Sequence, residues 1–251
     1  MRQTRILMGM PITIEIADAC AAVALFDEVF DYFAAIDATF SPYKSDSAIS
    51  QINRGELALA DAGDDVRRIF ALAEQTRQQT AGYFNIWRDG RCDPSGIVKG
   101  WAIDNAADML RARGCANFYV DAGGDIQTAG RNDQGHLWRV GIRNPFDMHQ
   151  IVKVLNVGDA GVATSGTSIR GQHIYNPHAL GEPLEEIVSL TVVGPDIYEA
   201  DRFATAAFAM GRGGIAFIER LDGYEGYQID AAGMATATSG LARYIGHASD
   251  D

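Results

Sequence analysis

Apolar and polar residues change their spacing several times along this chain, and each change marks an element. Ile12, Ile14 and Ile16 alternate with Thr13 and Glu15. A period of two predicts a strand with one covered face. Asp18 follows as a candidate helix cap, and Val23, Phe26, Phe30 and Phe33 then recur at helical spacing. Ser41-Pro42 ends that helix. A short helix is expected from about Asp46 to Asn53, and a longer one from Asp64 to Thr80 with Val66, Ile69, Phe70 and Ala73 inward. Gly82 stands just beyond it, where a left-handed residue is wanted.

The second half reads the same way. Lys99 to Arg113 predicts a helix closed by Gly114, and Phe118-Tyr119-Val120 a buried strand. Leu137 to Arg143, Ile151 to Val157, His173 to Asn176 and Ile187 to Val193 are further strand candidates. Pro195 opens a helix running to Met210. A short helix near Ile215 to Arg220 precedes a closing hairpin, Tyr227 to Asp230 with Met234 to Thr238. Strands interspersed with helices, without strict βαβ alternation, predict an α+β fold. With no repeat, linker or low-complexity tract, the 251 residues are expected to form a single unit, with two lobes sharing a core as the variant.

Charge narrows the partners. A net charge of -12 argues against a broad nucleic-acid footprint or a polybasic membrane patch. A small anionic ligand stays open, because a bound metal and backbone dipoles override the mean field locally. Cys20, Cys92 and Cys115 show no CxxC spacing and are odd in number, which reads as free thiols in a reducing compartment. No run approaches the roughly 18 apolar residues of a membrane span. The ten residues before Pro11 include Arg2 and Arg5 and are too short and charged for a secretory core. A cytoplasmic location is expected, with an exported protein stripped of its signal as the alternative.

Three stretches could carry chemistry. Asp93-Pro94-Ser95-Gly96-Ile97-Val98-Lys99-Gly100 feeds a helix, whose first N–H groups face an anion while Lys99 adds a charge. The spacing is not that of a P-loop, and an ordinary helix start has the same look. Ala163-Thr164-Ser165-Gly166-Thr167 is either a phosphate cradle or a solvated turn. Asp201 and Thr205 are four apart, on one helical face among Ala200, Ala204, Ala206, Ala207 and Ala209. A carboxylate and a hydroxyl there are hard ligands suited to Mg²⁺. In the competing picture Thr205 bonds back to its own helix and Asp201 is solvated.

Taken in order, these pieces resemble the ApbE family. Met8-Gly9-Met10 is similar to its MGT, and Phe40 to Ser47 with Asn53 to its S-x-Y-x-x-x-S…N stretch. Gly82-Tyr83-Phe84-Asn85 is similar to G-A-F-D, and Asp93 to Asp104 to D-x-x-G-x-x-K-G-x-x-x-D. Val120 to Asp125 resembles its GGD strand end, Ala163 to Gly166 its ATSG, His173 to Pro177 its HIIDP, and Asp201 to Ala206 its DAxATA. The ordered set, from about residue 8 to 211, is more specific than any one motif. Asn85 and Asn176 stand where the family has aspartate, and only Ile86 to Cys92 separates two motifs that usually flank an insertion.

The resemblance implies an ApbE-like, T-fold-like arrangement of mixed sheets with packed helices. It implies Mg²⁺-dependent transfer of FMN from FAD to a threonine of an acceptor protein, at an S/T-G-A-T-like stretch, with AMP released. Asp201, Thr205 and the Gly96 carbonyl would hold the metal. Met8, Tyr43, Tyr83, Phe84, Asn85, Asp93, Lys99, Asp104 and Ile174 would line the FAD site. His173, titrating near neutrality, is the candidate proton acceptor. A Mg²⁺-dependent FAD pyrophosphatase and a non-catalytic flavin-binding protein are the competing readings.

Overall fold

The computed structural model describes residues 1–167, 174–179 and 181–245. Its centre is an eight-stranded sheet in the order β1 (Arg2–Leu7), β2 (Met10–Ile16), β5 (Phe118–Ala122), β6 (Asp125–Ala129), β9 (Ala160–Gly166), β10 (Ile187–Gly194), β11 (Glu225–Asp230), β12 (Ala235–Ala237). Every ladder among the described residues is antiparallel. Two short strands, β3 (Trp87–Arg88) and β4 (Arg91–Cys92), pair apart from it, as do the long β7 (Trp138–Asn144) and β8 (Asp147–Val157).

The sheet is covered on both faces. Ile12, Ile14, Ile16, Phe118 and Val120 join the larger core with helices α1 (Val23–Phe40), α3 (Asp64–Gln79), α4 (Ser95–Ala112) and α5 (Ile197–Ala209). Phe26, Phe30 and Phe33 are fully buried there, each stabilising by roughly 1.5–3 kcal/mol relative to exposure. On the other face Val162 and Val193, with Tyr119, Ile126 and Tyr227 beside them, pack under the β7–β8 ribbon through Trp138, Val140, Ile142, Leu155 and Val157. Trp138 Nε1 donates to the Ala129 carbonyl at 2.8 Å and pins the ribbon down. Double coverage explains why β10 is buried along nearly its whole length, Ser189 and Thr191 included.

Several expectations are corrected. Residues 2–7 form an edge strand, β1. Asp18 does not cap α1, which starts after Ala22; its carboxylate accepts from the backbone N–H groups of Ala116 and Asn117 and from the Asn117 amide. Helix α4 begins at Ser95, four residues before Lys99. Ala163 to Gly166 lies within β9, so neither a cradle nor a solvated turn describes it. Ile174, Tyr175 and Asn176 are not in a strand, and His173 lies outside the described residues. Cys20 and Cys115 are bonded to each other, with Cα atoms 6.1 Å apart, and only Cys92 is a free, buried thiol. That bridge joins the turn before α1 to the turn after α4. No helix is long and apolar enough to cross a membrane among the described residues.

Candidate active site

Helix α5 is aimed by its N-terminus. Asp196 caps it by accepting from Glu199 N–H at 2.7 Å, and buried Gln127 accepts from Ile197 N–H at 2.8 Å, so two donors that helix starts leave open are satisfied. Gly161 of β9 lets the helix start come this close: a Cβ there would lie 2.2 Å from Ile197 N. The helix then runs beside α4 with small residues between them.

Two turns of α5 carry Asp201 and Thr205. Asp201 is only 3% exposed, so the solvated alternative fails. Its Oδ2 accepts from Gly100 N–H at 2.9 Å, and its Oδ1 lies 3.5 Å from Lys99 Nζ. A Cβ at Gly100 would fall 2.7 Å from Asp201 Cβ and 2.9 Å from the Ile197 carbonyl, which is why glycine follows the lysine. In a regular helix Gly100 N–H serves the Gly96 carbonyl. Here that donor reaches Asp201, so the carbonyl holds at most a share of it. Thr205 sits against Gly96: its Cγ2 and Oγ1 would be 3.4 and 3.7 Å from a Cβ placed there, and the Phe84 ring 3.4 Å. The three residues expected to hold a metal therefore stand together.

Asp125, absent from the sequence-derived site, completes the group. It is 2% exposed at the start of β6. Its carboxylate pairs with Lys99 and accepts from Thr164 N–H at 2.9 Å. The Thr164 and Thr191 hydroxyls bond at 2.8 Å, fixing β9 against β10 beside it. With both carboxylates ionised, Asp125, Lys99 and Asp201 sum to one net negative charge in a buried place. Burial pushes Asp201 well above the usual carboxylate range; Lys99 and the Gly100 N–H oppose the shift and Asp125 adds to it.

The chemistry of this donor set fits Mg²⁺ bound with substrate. No cluster of three or more His, Cys, Asp or Glu able to hold a metal occurs among the described residues. Mg²⁺ commonly takes one or two carboxylates and fills its shell with phosphate oxygens and water. One carboxylate, one hydroxyl and one carbonyl suit that mode.

The remaining residues lie on turns. Thr80 Oγ1 donates to the Thr76 carbonyl and accepts from Phe84 N–H at 3.1 Å, holding the 82–85 turn onto the end of α3. Tyr83 stacks edge-on with His178 at 4.6 Å between centroids, and His178 Nε2 lies 2.9 Å from the Ala81 carbonyl. Asn85 accepts from Trp87 N–H. Tyr175 donates to the Trp87 carbonyl at 3.0 Å, which holds the segment bearing partly buried Ile174 near that turn. Asp93 accepts from Ser95 N–H at the start of α4. Met8 occupies a left-handed position at φ 53° between β1 and β2.

Tyr43 is 92% exposed. Its frame is polar: Ser47 Oγ donates to the Ser41 carbonyl at 2.6 Å and caps α2 (Ala48–Asn53), and Asn53 exchanges two bonds with Cys92. The serines and asparagine of that motif therefore build the turn that displays the tyrosine. Asp104 stands apart, toward the N-terminal end of α5. Burial pushes it up to about 6, with Asp196, Asp108 and Glu199 adding to the shift and Arg111 opposing it.

The ApbE family model matches residues 8–89 and 87–228. The chain belongs to the ApbE family. An FAD:protein FMN transferase of Vibrio cholerae is 36% identical over 129 residues, 47% of this chain and 38% of that protein. One from Salmonella typhimurium is 30% identical over 156 residues, 58% of this chain and 44% of that protein. The chain thus spans less than half the length of the curated relatives it matches. Among solved structures, the flavin transferase ApbE from Vibrio cholerae superposes with a TM-score of 0.83 at 23% identity, covering 98% of this chain and 99% of that one. An ApbE protein from Thermotoga maritima superposes at 0.88 and 18% identity, with the same coverage. At such identities the likeness establishes the ApbE fold, an α+β arrangement.

Proposed function

We propose that this chain is a Mg²⁺-dependent FAD:protein FMN transferase that moves the FMN half of FAD onto a threonine of an acceptor protein. The observation that carries the reading is the buried group of Asp125, Lys99 and Asp201, one charge short of neutrality, with Thr205 and Gly96 beside it. Membership of the family supports the same reading. The threonine oxygen bonds to the FMN-side phosphorus, the pyrophosphate P–O bond breaks, and AMP leaves with the electron pair. Asp201, Thr205 and the Gly96 carbonyl would hold Mg²⁺, which when bound neutralises and orients the pyrophosphate.

The protein's own part is positioning. Lys99, in the second turn of α4, is held by its two carboxylates and keeps a fixed place beside the residues that would hold the metal. Tyr43, Met8, Tyr83, Phe84, Asn85, Asp93, Asp104 and Ile174 line the FAD site in this reading. His173 accepts the threonine proton, a role resting on the sequence alone. The Cys20–Cys115 bond favours the exported location over the cytoplasmic one, since such bonds persist in oxidising compartments. Alkylation of freshly extracted native protein before reduction then labels at most Cys92; labelling of all three cysteines returns the chain to the cytoplasm.

The decisive assay incubates the protein with FAD, Mg²⁺ and a domain bearing an S/T-G-A-T stretch. Acceptor mass rises by one FMN unit and AMP appears in equal amount. AMP without acceptor labelling would make the chain a pyrophosphatase, and neither product would leave a flavin-binding protein.

A further inference from the structure

Position 202 departs from the family motif in a way the fold makes expensive. Asp201-Arg202-Phe203-Ala204-Thr205-Ala206 carries arginine where DAxATA has alanine. The side chain is 3% exposed and its Nε has no hydrogen-bond partner among the described residues. A buried guanidinium with an open N–H is costly unless its other bonds matter.

Those bonds run to two helices, its own and the end of α3. Nη1 donates to Gln79 Oε1 at 2.6 Å and to Thr76 Oγ1 at 3.2 Å, while Nη2 pairs with Glu199 one turn back on α5. The Phe203 ring lies 4.0 Å from the guanidinium carbon. Thr76 and Gln79 form the last turn of α3. Thr76 passes the contact on, because its carbonyl accepts from Thr80 Oγ1, which in turn accepts from Phe84 N–H. Arg202 thus joins the helix of Asp201 and Thr205 to the turn of Tyr83, Phe84 and Asn85. Phe84 packs over Gly96 beside Thr205 on one side of this bridge, while on the other a cavity of about 350 Å³, lined by Gln79, Thr80, Tyr83, Met210, Phe217 and Leu221, leaves the Tyr83 end of the turn without such packing.

We propose that Arg202 is a positioning residue for FAD, setting the 82–85 turn against the metal-holding face of α5. The inference rests on the transferase reading, since it needs that turn to hold the flavin nucleotide. Arg202 touches no reacting atom, so its effect belongs on substrate binding rather than on the chemical step.

Arg202→Ala restores the motif residue and removes the bridge. FAD affinity, measured by flavin fluorescence with Mg²⁺ present, and KM for FAD should weaken about 3- to 30-fold, the range for residues that couple two sites without touching the ligand. The kcat and the Mg²⁺ concentration for half activity should stay near wild type. Arg202→Lys should recover part of the loss, since a point charge lacks the two-sided fork. If Arg202→Ala does not fold, Gln79→Leu with Thr76→Val cuts the bridge from the α3 end and should raise KM alike. Unchanged KM in a folded variant overturns the proposal, as does a fall in kcat and Mg²⁺ response in step with KM. A wild type that binds no FAD overturns the transferase reading and this inference with it; a wild type that binds FAD no better than the variant overturns the inference alone.

Discussion

Asp125, Lys99 and Asp201 meet between a strand end and two helices, with both carboxylates almost wholly buried, whereas Tyr43 stands 92% exposed on a turn. The charged group depends on long-range structure: the β6–β9 ladder brings Thr164 N–H to Asp125, and the α4–α5 contact brings Gly100 N–H to Asp201. The exposed rim at Tyr43 depends on local bonds, such as Ser47 to Ser41. A buried electrostatic site keeps its geometry because moving it would break the core. The turn that displays Tyr43 can move at small cost to the rest. Chemistry and recognition are thereby separable, and substitutions should separate them.

The largest effect is expected at Asp201. Asp201→Asn keeps the shape and removes the charge that a cation answers. Transfer should fall by more than the roughly 10–100-fold typical of losing a residue merely adjacent to a metal ligand, with partial recovery at high Mg²⁺. Far-UV circular dichroism should be unchanged. Full activity of this variant at low Mg²⁺, or of EDTA-stripped wild type, would dissolve the contrast by removing the metal from the buried side.

How much of this was legible beforehand follows the same division. Helices α1 and α3 showed in their apolar spacing and α5 in Pro195 at its start, and Asp201 and Thr205, four apart, showed as one face of α5, which the structure brings beside Gly96 and Gly100. Asp125 did not show. Its burial arises only when β6 pairs with β9; Thr164 and Ser165 made β9 read as a turn, and Gln127 and Thr128 broke the apolar pattern of β6. Strand β1 was missed for a related reason: an edge strand half open to water needs few apolar residues, and Arg2, Thr4 and Ile6 point outward. The reverse error fell on residues 174–176, where an apolar-polar run just before Pro177 mimics a strand. Cysteine spacing failed too, because Cys20 and Cys115 are 95 apart and meet only when two turns pack together.

Asp104 stands apart from both regions, near Asp196 and Glu199 at the start of α5, and a pH series tests whether it serves the nucleotide. Its folded pKa of about 6 stands above the usual 3.8, so the folded protein holds a proton there more tightly than the unfolded chain. Such a group weakens stability as pH rises from about 4 to 6, and the full cost is present above that window. That rise in pKa corresponds to about 3 kcal/mol, discounted to about 1–2 kcal/mol because solvent screens a half-buried carboxylate. Asp104→Asn should therefore raise stability by that amount in urea melts at pH 7, with the gain vanishing below about pH 4. If it serves the nucleotide, the same variant should bind FAD more weakly. Greater stability without weaker binding would remove Asp104 from the site.

The smallest effect is expected at Tyr43, and it tests the rim most directly. A side chain this exposed contributes almost nothing to the core, so Tyr43→Ala should leave the melting temperature within about a degree, as for surface substitutions within ±0.5 kcal/mol. Its value would lie in covering a flat aromatic ligand, where one ring-on-ring contact is worth about 0.5–1.5 kcal/mol. KM for FAD should then rise about 2- to 12-fold on that energy, with kcat and the Mg²⁺ requirement unchanged. Tyr43→Phe should behave as wild type, since the ring and not the hydroxyl makes the contact. A fall in kcat for Tyr43→Ala, or a loss in Tyr43→Phe equal to that in Tyr43→Ala, would show that the rim takes part in the chemical step and that recognition and chemistry are not divided as the burial pattern implies.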